Sequence, residues 1–372
     1  MKIALVHYSA PPVIGGVETI LAAHARLFAA AGHEVRIVVR RGGEGDPRVV
    51  RLSAAEPLAE LRVALAGCDV VIAHNVLTMP FDLPLTEALW RLAEEMRATR
   101  FIAWLHDIAA GNPDYPHAYH QPPWLRLAQA SPRFEYVAIS AHRASQLTTL
   151  TGAAARVIPN GVEPAVVLGL TPAVAAFAEA HDLFAREFLL LHPARLLRRK
   201  NVELGLAVTA ELRTRGRRVA YLVTGAPDQH NPASAEYAAE LEKQRAELGI
   251  ERDALFVGES FAVTNADLGA LYALADALFF PSRQEGFGLP LLEAALHRLP
   301  TFCTDTAPMN ALLETTLHTF APDAAPVEIA TLIERTLDHA PSHRARKEVQ
   351  RRYSWAVIDR DFLQPLLTGS LP

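Results

Sequence analysis

Lys2-Ile-Ala-Leu-Val-His7, Gly15-Gly16, Val17-Glu-Thr-Ile-Leu-Ala-Ala-His-Ala-Arg-Leu-Phe-Ala-Ala-Ala31 and, after Gly32, His33-Glu-Val-Arg-Ile-Val-Val39 decide the fold. They read in turn as a buried parallel strand, a tight turn, an apolar-striped helix stopped by glycine, and a second strand. Such a βαβ unit puts its glycine loop at the carboxyl ends of parallel strands, where ligands bind. The spacing is not Gly-x-Gly-x-x-Gly, and Arg40 rather than an acid follows Val39, which argues against a dinucleotide site. Glu18 reads as an ordinary acid of a first helical turn.

The pattern repeats outward. Apolar runs near 2–7, 35–39, 69–73, 101–105 and 135–139 are separated by lengths suited to crossover helices, giving one doubly wound α/β sheet. A second set, near 188–192, 219–224, 254–257, 277–281 and 300–303, gives another. Residues 1–165 are therefore expected as an N-terminal Rossmann-like domain, 166–186 as a linker where Glu-Pro and Leu-Thr-Pro interrupt regular structure before an Ala-rich helical stretch, and 187–353 as a C-terminal Rossmann-like domain. Residues 354–372 are expected as a helix returning to the first domain, anchored by Tyr353, Trp355 and Phe362.

Length and charge agree. With 372 residues, two domains can each bury a substantial core. The net charge is −5, with fifteen basic and fifteen acidic side chains in residues 1–165 and twenty-one and twenty-six in the rest, so neither half carries the basic excess of a nucleic-acid binder. Cys68 and Cys303 are the only cysteines; they indicate neither a disulfide framework nor a structural zinc site, and read as small core residues. No run of eighteen uninterrupted apolar residues and no signal peptide is seen, so the expected location is the cytoplasm, with contact at the inner face of the membrane left open.

Two stretches carry the chemistry. Pro281-Ser-Arg-Gln-Glu-Gly-Phe-Gly-Leu-Pro-Leu-Leu-Glu293 sets Glu285 and Glu293 eight positions apart around a Gly-Phe-Gly turn. With a helix starting near Leu289, Glu293 is expected in its first turn, and the free amides of Gly286, Phe287, Gly288 and Leu289 suit an anionic or polyhydroxylated ligand. Leu189-Leu-Leu-His-Pro-Ala-Arg-Leu-Leu-Arg-Arg-Lys-Asn201 ends a strand in a loop that presents Arg195 and Lys200, with Arg198 and Arg199 read as solvated neighbours. Lys200 is one of only four lysines beside thirty-two arginines. Phe101-Ile-Ala-Trp-Leu-His106-Asp107 delivers a histidine to a strand end; His74 competes by the same logic, while His117 and His120 read as part of a variable acceptor loop.

Together these stretches resemble the retaining, nucleotide-sugar-dependent glycosyltransferases of the GT-B fold, family 4, and the resemblance extends over nearly the whole chain. It implies two Rossmann-like domains facing a cleft, the first for the acceptor and the second for the nucleotide sugar. By the Glu-x7-Glu signature, Glu285 would approach the donor sugar and Glu293 the ribose. Arg195 and Lys200 would hold the diphosphate, meeting the charge that grows on the leaving group. His106 would contact the sugar near its reacting carbon. The Gly15-Gly16 loop would approach the donor phosphates or the acceptor, and Gly225, in Thr224-Gly225-Ala-Pro-Asp-Gln-His230, would belong to a further donor loop. The implied reaction moves a hexose, glucose or mannose, to a hydroxyl of a carbohydrate, small-molecule or lipid-linked acceptor with retention, by front-face attack in which the departing diphosphate takes the acceptor's proton. No cofactor and no metal ligand set is expected, and no Asp-x-Asp motif is present. Base, sugar, acceptor and oligomeric state are not legible. A same-fold epimerase or phosphorylase and a non-catalytic sugar-nucleotide-binding protein remain as alternatives at this point.

Overall fold

The computed structural model describes residues 1–110, 112–115, 121–225, 232–313 and 316–369. Its first sheet contains β1 (Lys2–Val6), β2 (Glu34–Val39), β3 (Val49–Arg51), β4 (Val70–His74), β5 (Arg100–Leu105), β6 (Phe134–Ala138) and β7 (Arg156–Val157), ordered β3-β2-β1-β4-β5-β6-β7. Every pairing is parallel, with Ile3 opposite both Val35 and Val70. Side chains alternate between two cores: Ala4 and Val6 point to one layer of helices, Ile3 and Leu5 to the other. A strand covered on both sides has no polar face to show, which is why these runs are unbroken in the sequence.

The second sheet contains β8 (Phe188–His192), β9 (Val219–Val223), β10 (Ala254–Phe256), β11 (Ala277–Phe280), β12 (Thr301–Thr304) and β13 (His318–Phe320), ordered β10-β9-β8-β11-β12-β13, again all parallel. Phe188 and Leu190 enter one core, Leu189 and Leu191 the other. Burying each such side chain contributes about 1.5–3 kcal/mol. The molecule is therefore two Rossmann-like doubly wound domains, the GT-B pattern. In each sheet the order reverses beside the first strand, between β1 and β4 and between β8 and β11, and the loops leaving those pairs are where such folds bind ligands.

One compact unit comprises Met1–Gly161 with Trp355–Pro372, the other Val162–Ser354. The Ala-rich stretch expected within residues 166–186 is the Pro172–Ala180 helix, preceded by a short helix at Pro164–Val167, but the segment packs as part of the second domain, with Val174, Phe177, Ala178 and Leu183 buried beside Leu189. Thr171 caps the latter helix by accepting from the Val174 amide, and the Val174, Phe177, Ala178 spacing supplies the apolar stripe that seats it. Gly161 closes the first unit because a Cβ there would lie 2.5 Å from the Trp355 ring. Trp355, Ile358, Leu363, Leu366 and Leu367 then bury themselves against the first sheet, with Phe362 partly buried beside them, whereas Tyr353 stays with the second unit. A π-helical turn, Asp359–Leu363, interrupts this last helix. Cys68 and Cys303 are buried and unbridged, and no described helix is long and apolar enough to cross a membrane.

Candidate functional site

In the second domain, β8 and β11 end side by side at the reversal of strand order, and their loops bring the two sequence motifs together. The loop after β8 tightens into a short 3-10 turn at Arg198–Lys200, and Asn201, at φ 56°, starts the Val202–Thr214 helix. The buried Asn201 donates through Nδ2 to the Pro281 carbonyl at 3.1 Å, and the Arg283 amide donates to the Arg199 carbonyl at 2.8 Å, tying one loop to the other.

Across that seam the Lys200 ammonium donates to Glu285 Oε1, and Arg199 Nη1 lies 3.3 Å from Glu285 Oε2. Only 12% of the Lys200 side chain and 9% of the Glu285 side chain are exposed. Burial lowers the Lys200 pKa, Glu285 opposes that shift, and the charges of Arg199 and Arg195 add to it. The ammonium also sits 5.2 Å from the centre of the Phe280 ring. Arg199 is exposed, as the sequence suggests, yet also reaches Glu285, while the exposed Arg198 turns to the exposed Glu240 at 2.6 Å.

Gly225 explains its own identity. Its amide donates to the Ala194 carbonyl at 3.0 Å, and a Cβ would lie 2.3 Å from that oxygen and 2.5 Å from Arg195 Cα. The glycine thus lets the loop after β9 lie against the backbone that carries the exposed Arg195. Residues 226–230 of the same motif lie outside the described residues. Beyond Gly225 a cavity of about 520 Å³ is lined by Gly258, Glu259, Ser260 and Asn265 among others, a feature the sequence did not signal.

The Leu289–Leu296 helix begins where expected, with Gly288 as N-cap at φ 106°, a conformation that favours glycine. Gly286 is exposed with open space around it, and Phe287 and Leu289 are exposed. Glu293 is not in the first turn: it is the fifth helical residue, and its Oε2 accepts from the Tyr272 hydroxyl at 2.7 Å. Tyr272, unremarked in the sequence, is buried, stacks on His297 and thereby fixes the carboxylate. Ser282, Thr304 and Thr306, at the ends of β11 and β12, carry buried hydroxyl oxygens with no partner among the described residues.

In the first domain the reversal at β1 and β4 collects histidines rather than cations. His106, at the end of β5, is buried, with Nε2 3.1 Å from His74 Nδ1, and the Asn75 side-chain oxygen accepts from the His106 and Asp107 amides at 2.7 and 2.9 Å. Asp107 does not orient the imidazole; its carboxylate accepts from Arg143 at 2.7 Å. His7 Nδ1 is 2.7 Å from the His74 carbonyl, and His24 stacks edge-on against Trp104. Burial lowers the pKa of all four, His24 and His106 to about 3 and His74 well below its ordinary value, so they are uncharged at neutral pH.

Gly15 and Gly16 stand at the start of the Gly16–Ala30 helix, Gly15 as extended N-cap and Gly16 with open space beside it. Glu18 is a first-turn acid, yet its carboxylate folds back so that Oε1 accepts from Ser9 Oγ at 2.6 Å and lies 3.9 Å from His7 Nε2. A Cβ on Gly15 would meet Glu18 Oε2 at 2.0 Å. His117 and His120 lie outside the described residues, among which no group of three or more His, Cys, Asp or Glu side chains is arranged to hold a metal ion.

Comparison with known proteins bears on the second domain most directly. Residues 175–352 match the family described as Glycosyl transferases group 1. Over 75 residues the chain is 37% identical to the serotype-specific mannosyltransferase WbdA of Escherichia coli, a match covering 20% of this chain and 9% of that protein's length. Sucrose-phosphate synthase from Thermosynechococcus elongatus aligns over 100% of both chains at 20% identity with a TM-score of 0.41. HepE from Anabaena, solved in complex with UDP and glucose, aligns over 99% of this chain and 100% of its own at 20% identity with a TM-score of 0.39. The family match thus spans just under half of the chain, all of it within the second unit.

Proposed function

We propose that this chain is a retaining hexosyltransferase that moves glucose or mannose from a nucleoside diphosphate sugar to a hydroxyl of a carbohydrate, small-molecule or lipid-linked acceptor. One observation carries the reading: Lys200, Arg199 and Glu285 meet where the strand order reverses in a group 1 domain, with Arg195 close enough to perturb Lys200.

The division of labour follows from the groups. Arg195, Lys200 and the amides from Gly286 to Leu289 would bind the diphosphate and stabilise the charge that develops as the bond from the anomeric carbon to the phosphate oxygen breaks. Glu285, held by two cations, would orient a sugar hydroxyl. Glu293, fixed by Tyr272, would accept from the ribose hydroxyls. The new bond forms from the acceptor oxygen to the anomeric carbon on the same face, and the acceptor proton passes to the departing diphosphate oxygen. The uncharged His106 would act as a hydrogen-bonding group, not as a cation. No divalent ion enters this proposal, because fixed cations occupy that role.

The test is a thermal-shift screen against uridine and guanosine diphosphate sugars, followed by acceptor-dependent release of nucleoside diphosphate from the best ligand. Glu285→Ala and Lys200→Ala should each lower turnover by about two orders of magnitude or more with the fold retained. Wild-type turnover in both variants sinks the assignment, and donor binding without turnover in the wild type makes the chain a binding protein instead.

A further inference from the structure

At the edge of the second sheet opposite to Lys200 and Glu285, β8 and β9 begin at Phe188 and Val219, and the Pro341–Tyr353 helix lies across those amino ends. This helix, Pro-Ser-His-Arg-Ala-Arg-Lys-Glu-Val-Gln-Arg-Arg-Tyr, carries five Arg or Lys residues against one acid. Between it and the strand starts is a cavity of about 190 Å³.

The cations around this cavity fall into two groups. Arg186, Arg217 and Lys347 are committed: Arg186 to Asp253 at 2.5 Å, Arg217 to Glu334 at 2.8 Å and to Asp338, and the buried Lys347 to the fully buried Asp276 at 2.7 Å. Arg218, Arg344 and Arg351 are not: their guanidinium groups have no carboxylate partner among the described residues. Each could have folded onto an acid, as most arginines of this chain do. Two acids also line the hollow, but Asp338 is taken by Arg217 and Glu187 accepts from the Arg218 backbone amide at 3.0 Å, so positive charge exceeds negative there and an anion relieves the excess.

We propose that this cavity is a second ligand site, separate from the donor site, that takes a phosphate group. Size and geometry select that chemistry. A volume of 190 Å³ equals about six liquid waters, room for a phosphate or diphosphate. Guanidiniums bind phosphate oxygens through paired N–H donors, which favours phosphate over halide or a single carboxylate. The ion pairs beneath hold the floor in place, so the three free guanidiniums supply the affinity without being needed for the fold. The phosphate could belong to a small soluble ligand or to a lipid headgroup.

Calorimetric titration of the full chain with inorganic pyrophosphate tests the site, comparing wild type, the double variant Arg344→Gln/Arg351→Gln, and Lys200→Ala. The expected result is a component of binding that the double variant weakens about tenfold or more and that Lys200→Ala leaves intact. Because Arg344 and Arg351 are exposed and form no ion pair among the described residues, with only the weak Arg351 Nε bond to the Lys347 carbonyl at 3.3 Å to lose, the double variant should melt within a degree or two of wild type. If it does not, Arg218→Gln replaces it. Pyrophosphate binding that vanishes in Lys200→Ala and is unchanged by every arginine variant overturns the proposal. Co-sedimentation with vesicles containing phosphatidic acid, but not phosphatidylcholine alone, competed by pyrophosphate and lost in the double variant, identifies a headgroup as the source. No co-sedimentation together with retained pyrophosphate binding identifies a soluble phosphate.

Discussion

Acid should unfold the first domain through its buried histidines. His24 and His106 titrate near 3 in the folded chain against 6.5 for the ordinary side chain. Between those limits the unfolded chain binds protons that the folded chain refuses. A pKa lowered by folding leaves stability untouched above pH 6.5 and removes it as the pH falls below. Each group costs about 1.4 kcal/mol per pH unit, so the pair costs about 4 kcal/mol on going from pH 6.5 to 5. His7 and His74 shift in the same direction and steepen the loss. Against a domain stability of about 5–15 kcal/mol, this is a large fraction. The readout is built in: all four tryptophans, Trp90, Trp104, Trp124 and Trp355, fall in the first unit, so urea unfolding followed by tryptophan fluorescence reports that unit. His24→Phe removes one titrating ring from a wall formed by Phe28, Trp104 and Trp355, and should flatten the slope by about 1.4 kcal/mol per pH unit. A stability independent of pH between 7 and 5, or a variant slope equal to wild type, refutes the linkage and with it the uncharged His106.

Three further outcomes are expected. Lys200→Met should weaken nucleoside diphosphate binding by about 10- to 150-fold, the worth of one charged hydrogen bond of about 1.5–3 kcal/mol, measured by calorimetry; unchanged affinity removes Lys200 from the site. Gly225→Ala drives a methyl into the Ala194 carbonyl and Arg195 backbone, so it should cost about 1–3 kcal/mol in chemical denaturation and weaken the same ligand; a fully stable variant shows that the loop has room. Tyr272→Phe deletes the bond to Glu293 and should raise the donor KM about three- to tenfold with kcat nearly kept, corresponding to about 0.5–1.5 kcal/mol; a fall in kcat alone contradicts a ribose-positioning role.

The centre of each sheet was legible because strands covered on both faces are written as unbroken apolar runs, as in Ile3 to Val6 and Phe188 to Leu191. The edges were not. β3, β7 and β13 are two or three residues long, and Arg156–Val157 is exposed, so no apolar signal separates them from loop. Between the two sheets the Ala-rich helix was legible but its packing into the second domain was not, and the short helix opened by Pro164 was missed because proline begins helices as readily as it ends them. At the candidate site, the spacing of Glu285, Glu293, Arg195 and Lys200 singled out two loops that the fold brings together. What it could not give was direction. A 3-10 turn rotates successive side chains by about 120°, which sends Arg198 to Glu240 and Arg199 to Glu285. Tyr272 and Asn75 act through contacts twenty to thirty residues away in sequence, where no local pattern exists to read.

Lys200 and Glu285 pair across the seam between the loops that leave β8 and β11, and Arg199 joins them. Two like charges on neighbouring residues would otherwise push apart, and Glu285 is the counter-ion of both. The acid is thus a rivet between two loops as much as a group aimed at any ligand. Neutralising it should speed hydrogen exchange at this one seam while the strands of the second sheet keep their protection.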